Sequence, residues 1–283
     1  MKIAISVEST SDLTKDLLEK YDIKVIPYHI VFGDETFKDG EISTPDLFKK
    51  VDEIGVLPKT NAINEFEYTE YFEELKKDYD AIVHVCLSSG LSSSCGNAIR
   101  ASKNLNNVFV IDSLSLSTGI GLLAIYAREL ADSGLAPEEI AARLEERVSK
   151  LQVSFVIERL DYLYKGGRCG SLAYFGANLL KLRPRIIVKE GKMGADKKYR
   201  GTMEKVVAKY CQETLDEFNI PDLDKVFITY TTATPEMVQA AKDALVERGF
   251  KNIYETFAGC TIASHCGGNT LGILYFNDGL CTE

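Results

Sequence analysis

The sequence is poor in the features that announce a chemistry most directly. It has three histidines and no cysteine pair in CxxC spacing, so neither a metal centre nor a thiol redox motif can be read from it. The seven cysteines, Cys86, Cys95, Cys169, Cys211, Cys260, Cys266 and Cys281, are odd in number and scattered. That pattern fits reduced thiols packed as small apolar side chains rather than a disulfide framework. Basic surplus is missing too: 33 Lys and Arg against 42 Asp and Glu leave a formal charge of -9. A phosphate backbone or an anionic membrane surface demands a concentrated basic face, so no nucleic-acid partner is expected. No stretch reaches the roughly 18 uninterrupted apolar residues of a membrane span. The opening run Met1 to Val7 is closed at once by Glu8 and is too short for a signal peptide. With no low-complexity tract or long linker either, the expectation is a folded cytoplasmic protein.

What is present is ordinary in amount and informative in arrangement. The 283 residues, 45% hydrophobic and 27% charged, suit two domains better than one core. In the first half, apolar runs at Ile3 to Val7, Ile23 to Phe32, Ala81 to Leu87 and Val108 to Asp112 alternate with helical patterns such as Leu13 to Lys20. This rhythm predicts βαβ units and a parallel sheet. Helix starts are marked by Thr44-Pro45, a cap before proline, by Asn64 with Glu67 in capping-box spacing, and by Pro137-Glu138-Glu139, which opens a helix to about Lys150.

From Val153 the texture changes. Arg185 to Lys189, Glu190-Gly191 and Lys192 onward predict a hairpin. Strands are expected at Val226 to Tyr230, Ile253 to Phe257 and Leu271 to Phe276, with helices at Met203 to Phe218 and Pro235 to Arg248. The expected fold is α/β in two domains: a Rossmann-like parallel-sheet domain over residues 1–151, and a second α/β domain with a mixed or mainly antiparallel sheet over residues 152–283.

Three of the predicted parallel strands end in hydroxyl-rich loops: Glu8-Ser9-Thr10-Ser11, Ser88-Ser89-Gly90-Leu91-Ser92-Ser93-Ser94 and Asp112-Ser113-Leu114-Ser115. In a parallel sheet all three lie at the carboxyl edge, where α/β folds bind ligands. Capping the next helix is the plainer role, expected for Thr10, Ser11 and Ser94. Five serines in seven residues exceed what one cap needs. A donor-rich, uncharged pocket suits a ligand with a small oxyanion head.

Leu57-Pro58-Lys59-Thr60-Asn61 is either an ordinary turn before a helix or an anion-binding loop. His265 is expected in a turn between two strands, beside Gly267 and Gly268, where a ligand can approach closely. Tyr164-Lys165-Gly166-Gly167-Arg168 and Lys197-Lys198-Tyr199-Arg200 are compact basic features, either solvated charge or a grip on a partner's phosphate.

Two enzyme readings compete. Gly119-Ile120-Gly121-Leu122-Leu123-Ala124 fits a nucleotide-binding G-x-G-x-x-A, but its first glycine falls seven residues past Asp112, so close helix packing explains it better. Ser92, Asp112 and His265 follow the chain order of a serine hydrolase, but Ser93 and Ser94 break the nucleophile elbow.

The strings Ser9-Thr10-Ser11-Asp12-Leu13, Asp39-Gly40-Glu41-Ile42-Ser43, Pro58-Lys59-Thr60, Ser88-Ser89-Gly90-Leu91-Ser92, Ile111-Asp112-Ser113, Leu163-Tyr164-Lys165-Gly166-Gly167-Arg168 and His265 with its glycines, taken in order, resemble DegV proteins along nearly the whole chain. The resemblance implies two α/β domains enclosing one long-chain fatty acid, its tail in an apolar tunnel and its carboxylate held by polar side chains. It implies the binding subunit of a bacterial fatty acid kinase system, with no catalytic residues, metal or cofactor of its own. A separate dihydroxyacetone-kinase-like, ATP-binding subunit phosphorylates the bound acid to an acyl phosphate for phospholipid synthesis. Carried over by position, Thr60, Ser92 and His265 hold the carboxylate, Asn61, Ser93, Ser113, Gly267 and Gly268 support the pocket, and Arg168 or Arg200 faces the kinase.

This chain departs from the common pattern at Glu8, where aspartate is usual, at Asn61-Ala62-Ile63, at Ser93-Ser94 and at Gly267-Gly268-Asn269. Physics favours neutral donors at such a head group, because a bidentate arginine lowers the basicity of a carboxylate that must attack phosphorus. The tail carries affinity: at about 0.8 kcal/mol per buried methylene, a palmitoyl-length chain contributes roughly 10 kcal/mol before ordering costs.

Overall fold

The computed structural model describes residues 1–170 and 182–279; Cys281, one of the cysteines expected to be packed, lies outside the described residues. In chain order the first half runs β1 (Ile3–Glu8), a 3-10 turn at Ser9–Ser11, α1 (Lys15–Lys20), β2 (Ile23–Ile26), β3 (His29–Phe32), β4 (Glu35–Lys38) and α2 (Thr44–Ile54). It continues through β5 (Lys59–Asn61), α3 (Glu65–Lys76), β6 (Ala81–Cys86), α4 (Ser94–Ser102), β7 (Val108–Asp112), α5 (Thr118–Asp132) and α6 (Pro137–Val148). The second half runs β8 (Leu151–Val156), α7 (Leu160–Gly166), β9 (Arg183–Lys189), β10 (Lys192–Tyr199), α8 (Met203–Glu217), β11 (Pro221–Tyr230), α9 (Pro235–Arg248), β12 (Asn252–Phe257), α10 (Cys260–Cys266) and β13 (Leu271–Asn277).

The fold is α/β. One sheet is parallel, ordered β2-β1-β6-β7. Every residue of β1 and β6 is buried, as strands covered by helices on both faces must be. A second, mixed sheet of six strands is ordered β10-β9-β8-β13-β11-β12, with only the β11–β12 pair parallel. Its first strand in chain order, β8, begins at Leu151, two residues before the change of texture at Val153.

Between the two sheets lies α5, which buries Thr118 to Leu123 in an unbroken run. A helix apolar nearly all round belongs inside a protein rather than on its surface. Its glycines permit the approach: a Cβ on Gly119 would fall 2.3 Å from Ser115 Oγ, and one on Gly121 would fall 2.7 Å from Leu13 Cδ2. The G-x-G-x-x-A string is therefore a packing device inside a helix. One apolar core joins Ile5 and Ile120 to Val153, Phe227 and Leu274, so it runs continuously from the first sheet to the second.

Three local expectations need correction. Ile23 to Phe32 is not one strand: the chain leaves the parallel sheet after Ile26, at Pro27, and β3 joins a small antiparallel sheet ordered β4-β3-β5. Proline breaks the ladder there and allows the change of direction. The cap of α2 is Ser43, which accepts from the Asp46 N–H, whereas the Thr44 hydroxyl donates to the Ala258 carbonyl. His265 sits on a short helix, α10, and not in a turn. The capping box at Asn64 and Glu67 forms with both bonds in place, and the Glu190–Gly191 hairpin turn has positive φ at both residues.

Candidate functional site

A glycine and two carboxyl groups, Asp12 buried and Asp39 half-buried, place α10, and α10 places the histidine. The backbone N–H of Gly259 donates to Asp12 Oδ1 at 2.8 Å, and those of Cys260 and Thr261 donate to the Asp39 carboxylate at 2.9 and 3.3 Å. These are orphan donors of a helix start, met by carboxyl oxygens where the helix dipole favours negative charge. Burial pushes the Asp12 carboxyl well up, and the Ser117 hydroxyl and Gly259 N–H oppose it. A Cβ on Gly259 would sit 3.2 Å from the Asp39 carboxylate and 3.3 Å from that of Asp12, so glycine keeps both oxygens close to the backbone. The Ser9 to Leu13 and Asp39 to Ser43 strings thus act as an anchor for α10.

His265 projects from this anchored helix toward β5. Its Nε2 lies 2.9 Å from Thr60 Oγ1. Its Nδ1 is buried without a partner among the described residues, against Gly166, where a Cβ would fall 2.5 Å from that nitrogen. Burial, followed by the charge of Arg168, lowers its pKa to about 4, so the imidazole is neutral at neutral pH. When Nε2 carries the ring proton it donates to Thr60, and the Thr60 hydroxyl proton is then available to a ligand.

Opposite stands the serine loop. Ser92 Oγ accepts from the Tyr28 phenol at 3.0 Å and from the Ser94 N–H at 3.2 Å. The hairpin turn between β9 and β10 docks on the same loop, with the Ser88 hydroxyl donating to the Gly191 carbonyl at 2.7 Å.

Between these walls lies a cavity of about 240 Å³, lined by Tyr28, Thr60, Asn61, Ser92, Ser93 and His265, and on its apolar side by Leu87, Leu91, Leu116, Met193 and Ile262. Thr60, Asn61, Arg168 and His265 also line an outer cavity of about 520 Å³ whose rim carries Lys59 and Lys165. Inward, Leu116, Ile262 and Cys266 separate the first cavity from a recess of about 30 Å³ floored by Phe155, Gly272 and Leu274. Polar groups therefore cluster at the outer end of an increasingly apolar path.

The structure brings together Thr60, Ser92, His265, Asn61 and Ser93, and adds Arg168 to the same wall. It does not bring Ser113 there: that side chain is buried in its own turn, bonding Ser115. Gly267 and Gly268 lie behind the wall, where added Cβ atoms would meet Tyr162 and Thr232. Arg200 is exposed and lines none of these cavities.

Two wall residues carry no mark in the sequence. Tyr28 gives no signal of its role, and Thr261, whose buried Oγ1 has no partner among the described residues, looks like an ordinary helix residue. A hydrolase triad is not assembled. The Nε2 of His265 is bound to Thr60, and Asp112 accepts from the Ser89 and Leu114 N–H groups instead of the histidine.

Among the described residues, Glu8, His84 and Cys86 lie close enough together to hold a metal ion. Glu8 already accepts from Tyr68, the Leu87 N–H and Thr10, and His84 Nδ1 is bonded to Ser6. Hydrogen bonds thus account for most of this group's donor atoms.

Known proteins share this architecture. A family model described as the DegV family of uncharacterised proteins matches residues 2–278. A fatty acid-binding protein of Thermotoga maritima is 31% identical over 287 aligned residues, covering 96% of each chain. Among solved structures, a DegV family protein from Thermus thermophilus, described for its fatty acid binding, superposes with a TM-score of 0.88 at 27% identity, covering 98% of this chain and 100% of the other. DegV from Bacillus subtilis, described as a fatty acid binding protein, gives a TM-score of 0.85 at 27% identity over 98% and 99%.

Proposed function

This chain belongs to the DegV family, and from that premise we propose that it binds one long-chain fatty acid and presents its carboxylate to a dihydroxyacetone-kinase-like partner. The partner phosphorylates the acid from ATP, and this chain acts as a carrier in the cytoplasm without catalysis of its own. In this reading the chain divides into residues 1–151 and 152–283 and the ligand lies between the two units, with Thr60 and Ser92 from one and His265 from the other.

The observation that carries this reading is the convergence of Thr60, Ser92 and His265 on one cavity that grows apolar inward. Neutral donors orient a carboxylate without quenching its oxygens as nucleophiles. A neutral His265 fits that role, because its low pKa keeps a second positive charge off the head group. The tail follows the path past Leu116, Ile262 and Cys266, where burial of methylenes supplies affinity. The inner cavity, at about 240 Å³, lies below the usual range for ligand pockets, so that septum yields when the tail enters.

The outer cavity, rimmed by Lys59, Lys165 and Arg168, is the side from which a phosphoryl donor approaches. In this reading Arg200, which is exposed and lines none of the cavities, meets the kinase rather than the lipid.

The test is acyl-phosphate formation with the ATP-binding subunit and labelled ATP. Ser92→Ala and His265→Ala lower turnover about tenfold each while the melting temperature holds, in keeping with loss of one hydrogen bond to a charged group. Unaltered turnover in both would remove the head-group assignment.

A further inference from the structure

The hydrogen bonds around Ser92 have a direction, and it is set from behind the cavity wall. A serine hydroxyl offers one proton and two lone pairs. Both acceptor positions on Ser92 are taken, by the Tyr28 phenol and by the Ser94 N–H. No hydrogen bond runs from the Ser92 hydroxyl to another described side chain or carbonyl, although Ser92 lines the cavity. The proton it has left is the one a ligand can receive.

The support extends deeper. Ser94 Oγ lies 2.7 Å from the Tyr68 phenol, and Tyr68 donates to Glu8 Oε1 at 2.5 Å. Glu8 is wholly buried at the end of β1, where it also accepts from the Leu87 N–H at 2.6 Å and from Thr10 at 3.3 Å. Burial pushes the Glu8 carboxyl up, and its donors, Tyr68 first, oppose that shift by favouring the acceptor-only carboxylate. With the Tyr68 proton committed to Glu8, Ser94 must donate to Tyr68. Its backbone N–H is thereby held on Ser92.

We propose that Tyr28 is a positioning residue, backed by the Glu8–Tyr68–Ser94 chain, that makes Ser92 an obligate hydrogen-bond donor to the ligand head group. This rests on the proposed fatty-acid function and deepens it. A wall that only donates accepts an anion, and it gives no special advantage to a head group that brings its own proton. Selectivity for the ionised acid over a neutral lipid of equal length is therefore built into residues that do not themselves hold the carboxylate.

The experiment compares hexadecanoic acid with hexadecanol on the intact chain. An alcohol can donate or accept, so it tolerates a reoriented serine; a carboxylate can only accept. Tyr28→Phe keeps the ring and lowers affinity for the acid roughly fivefold, with hexadecanol unchanged within about twofold. Tyr68→Phe, which cuts the chain farther back, lowers acid affinity about threefold with the same indifference to the alcohol. Equal loss for acid and alcohol in both variants would make the two phenols mere packing, and no loss for either ligand would also overturn the proposal. Wild-type protein that binds neither ligand would instead overturn the fatty-acid function itself.

Discussion

Two buried sites in this molecule handle polar groups in opposite ways. Arg185, on β9, has no exposed side-chain surface, and each of its three nitrogens is used: Nε donates to Asp196 at 2.9 Å, Nη1 to Thr214 at 3.3 Å, and Nη2 to Asp196 and to Glu217, the latter at 2.8 Å. Burial works against its charge, and the two carboxylates more than compensate, so its pKa is raised. At the cavity, by contrast, Thr261 Oγ1 has no partner among the described residues, and the Ser92 proton is given to none of them. Unpartnered groups occur elsewhere too, for example His84 Nε2 and Ser115 Oγ, but those two do not face this cavity. A closed polar cluster serves the fold; an open one beside a cavity is prepared for something else.

The largest effect that sharpens this contrast is on stability. Arg185→Ala leaves Asp196 without its cation and Glu217 with Lys197 alone, and costs about 3 kcal/mol, the low end for a broken buried pair because both carboxylates are about a third exposed. Urea unfolding measures it, and the ratio of acid to alcohol affinity stays as in the wild type. A change in that ratio would show that the closed cluster and the cavity are coupled, against the contrast drawn between them.

A second effect, absent at neutral pH, follows from the histidines. Their ordinary value is 6.5, and burial holds His265 at about 4 and His84 at about 3 in the folded chain. Below pH 6.5 the unfolded chain takes up protons that the folded chain refuses, so unfolding is favoured progressively as the pH falls. The stability these groups contribute is whole above pH 6.5 and is lost on the way down to about 3. His265→Gln should flatten the part of the slope between 6.5 and about 4; an unchanged slope in urea unfolding at several pH values would refute the burial argument.

The smallest effect concerns the tail. Ile262→Ala thins the septum between the cavity and its inner recess and should shift acyl preference toward chains about two carbons longer, read by competition between acids of graded length.

Local features were legible in the sequence, and long-range ones were not. The Asn64–Glu67 capping box, the Glu190–Gly191 hairpin and the bounds of β7 depend on neighbours a few residues away. The change of sheet at Pro27 depends on β5 arriving from more than thirty positions later, as the pairing of His29 with Asn61 shows. Thr60, Ser92 and His265 could be named because hydroxyls and a rare histidine stand out, and because their strings resemble a family. Tyr28 meets Ser92 across 64 positions, and nothing in its own segment signals that contact. Ser113 misled for the converse reason: a serine at a strand end looks like a ligand contact until its bonds to its own turn are seen.

The most direct test of the central claim is native mass spectrometry of the purified chain, followed by denaturing extraction and identification of any lipid. One fatty acid per chain, released on unfolding, is the predicted result; a chain that carries no lipid and takes up no added fatty acid would contradict it.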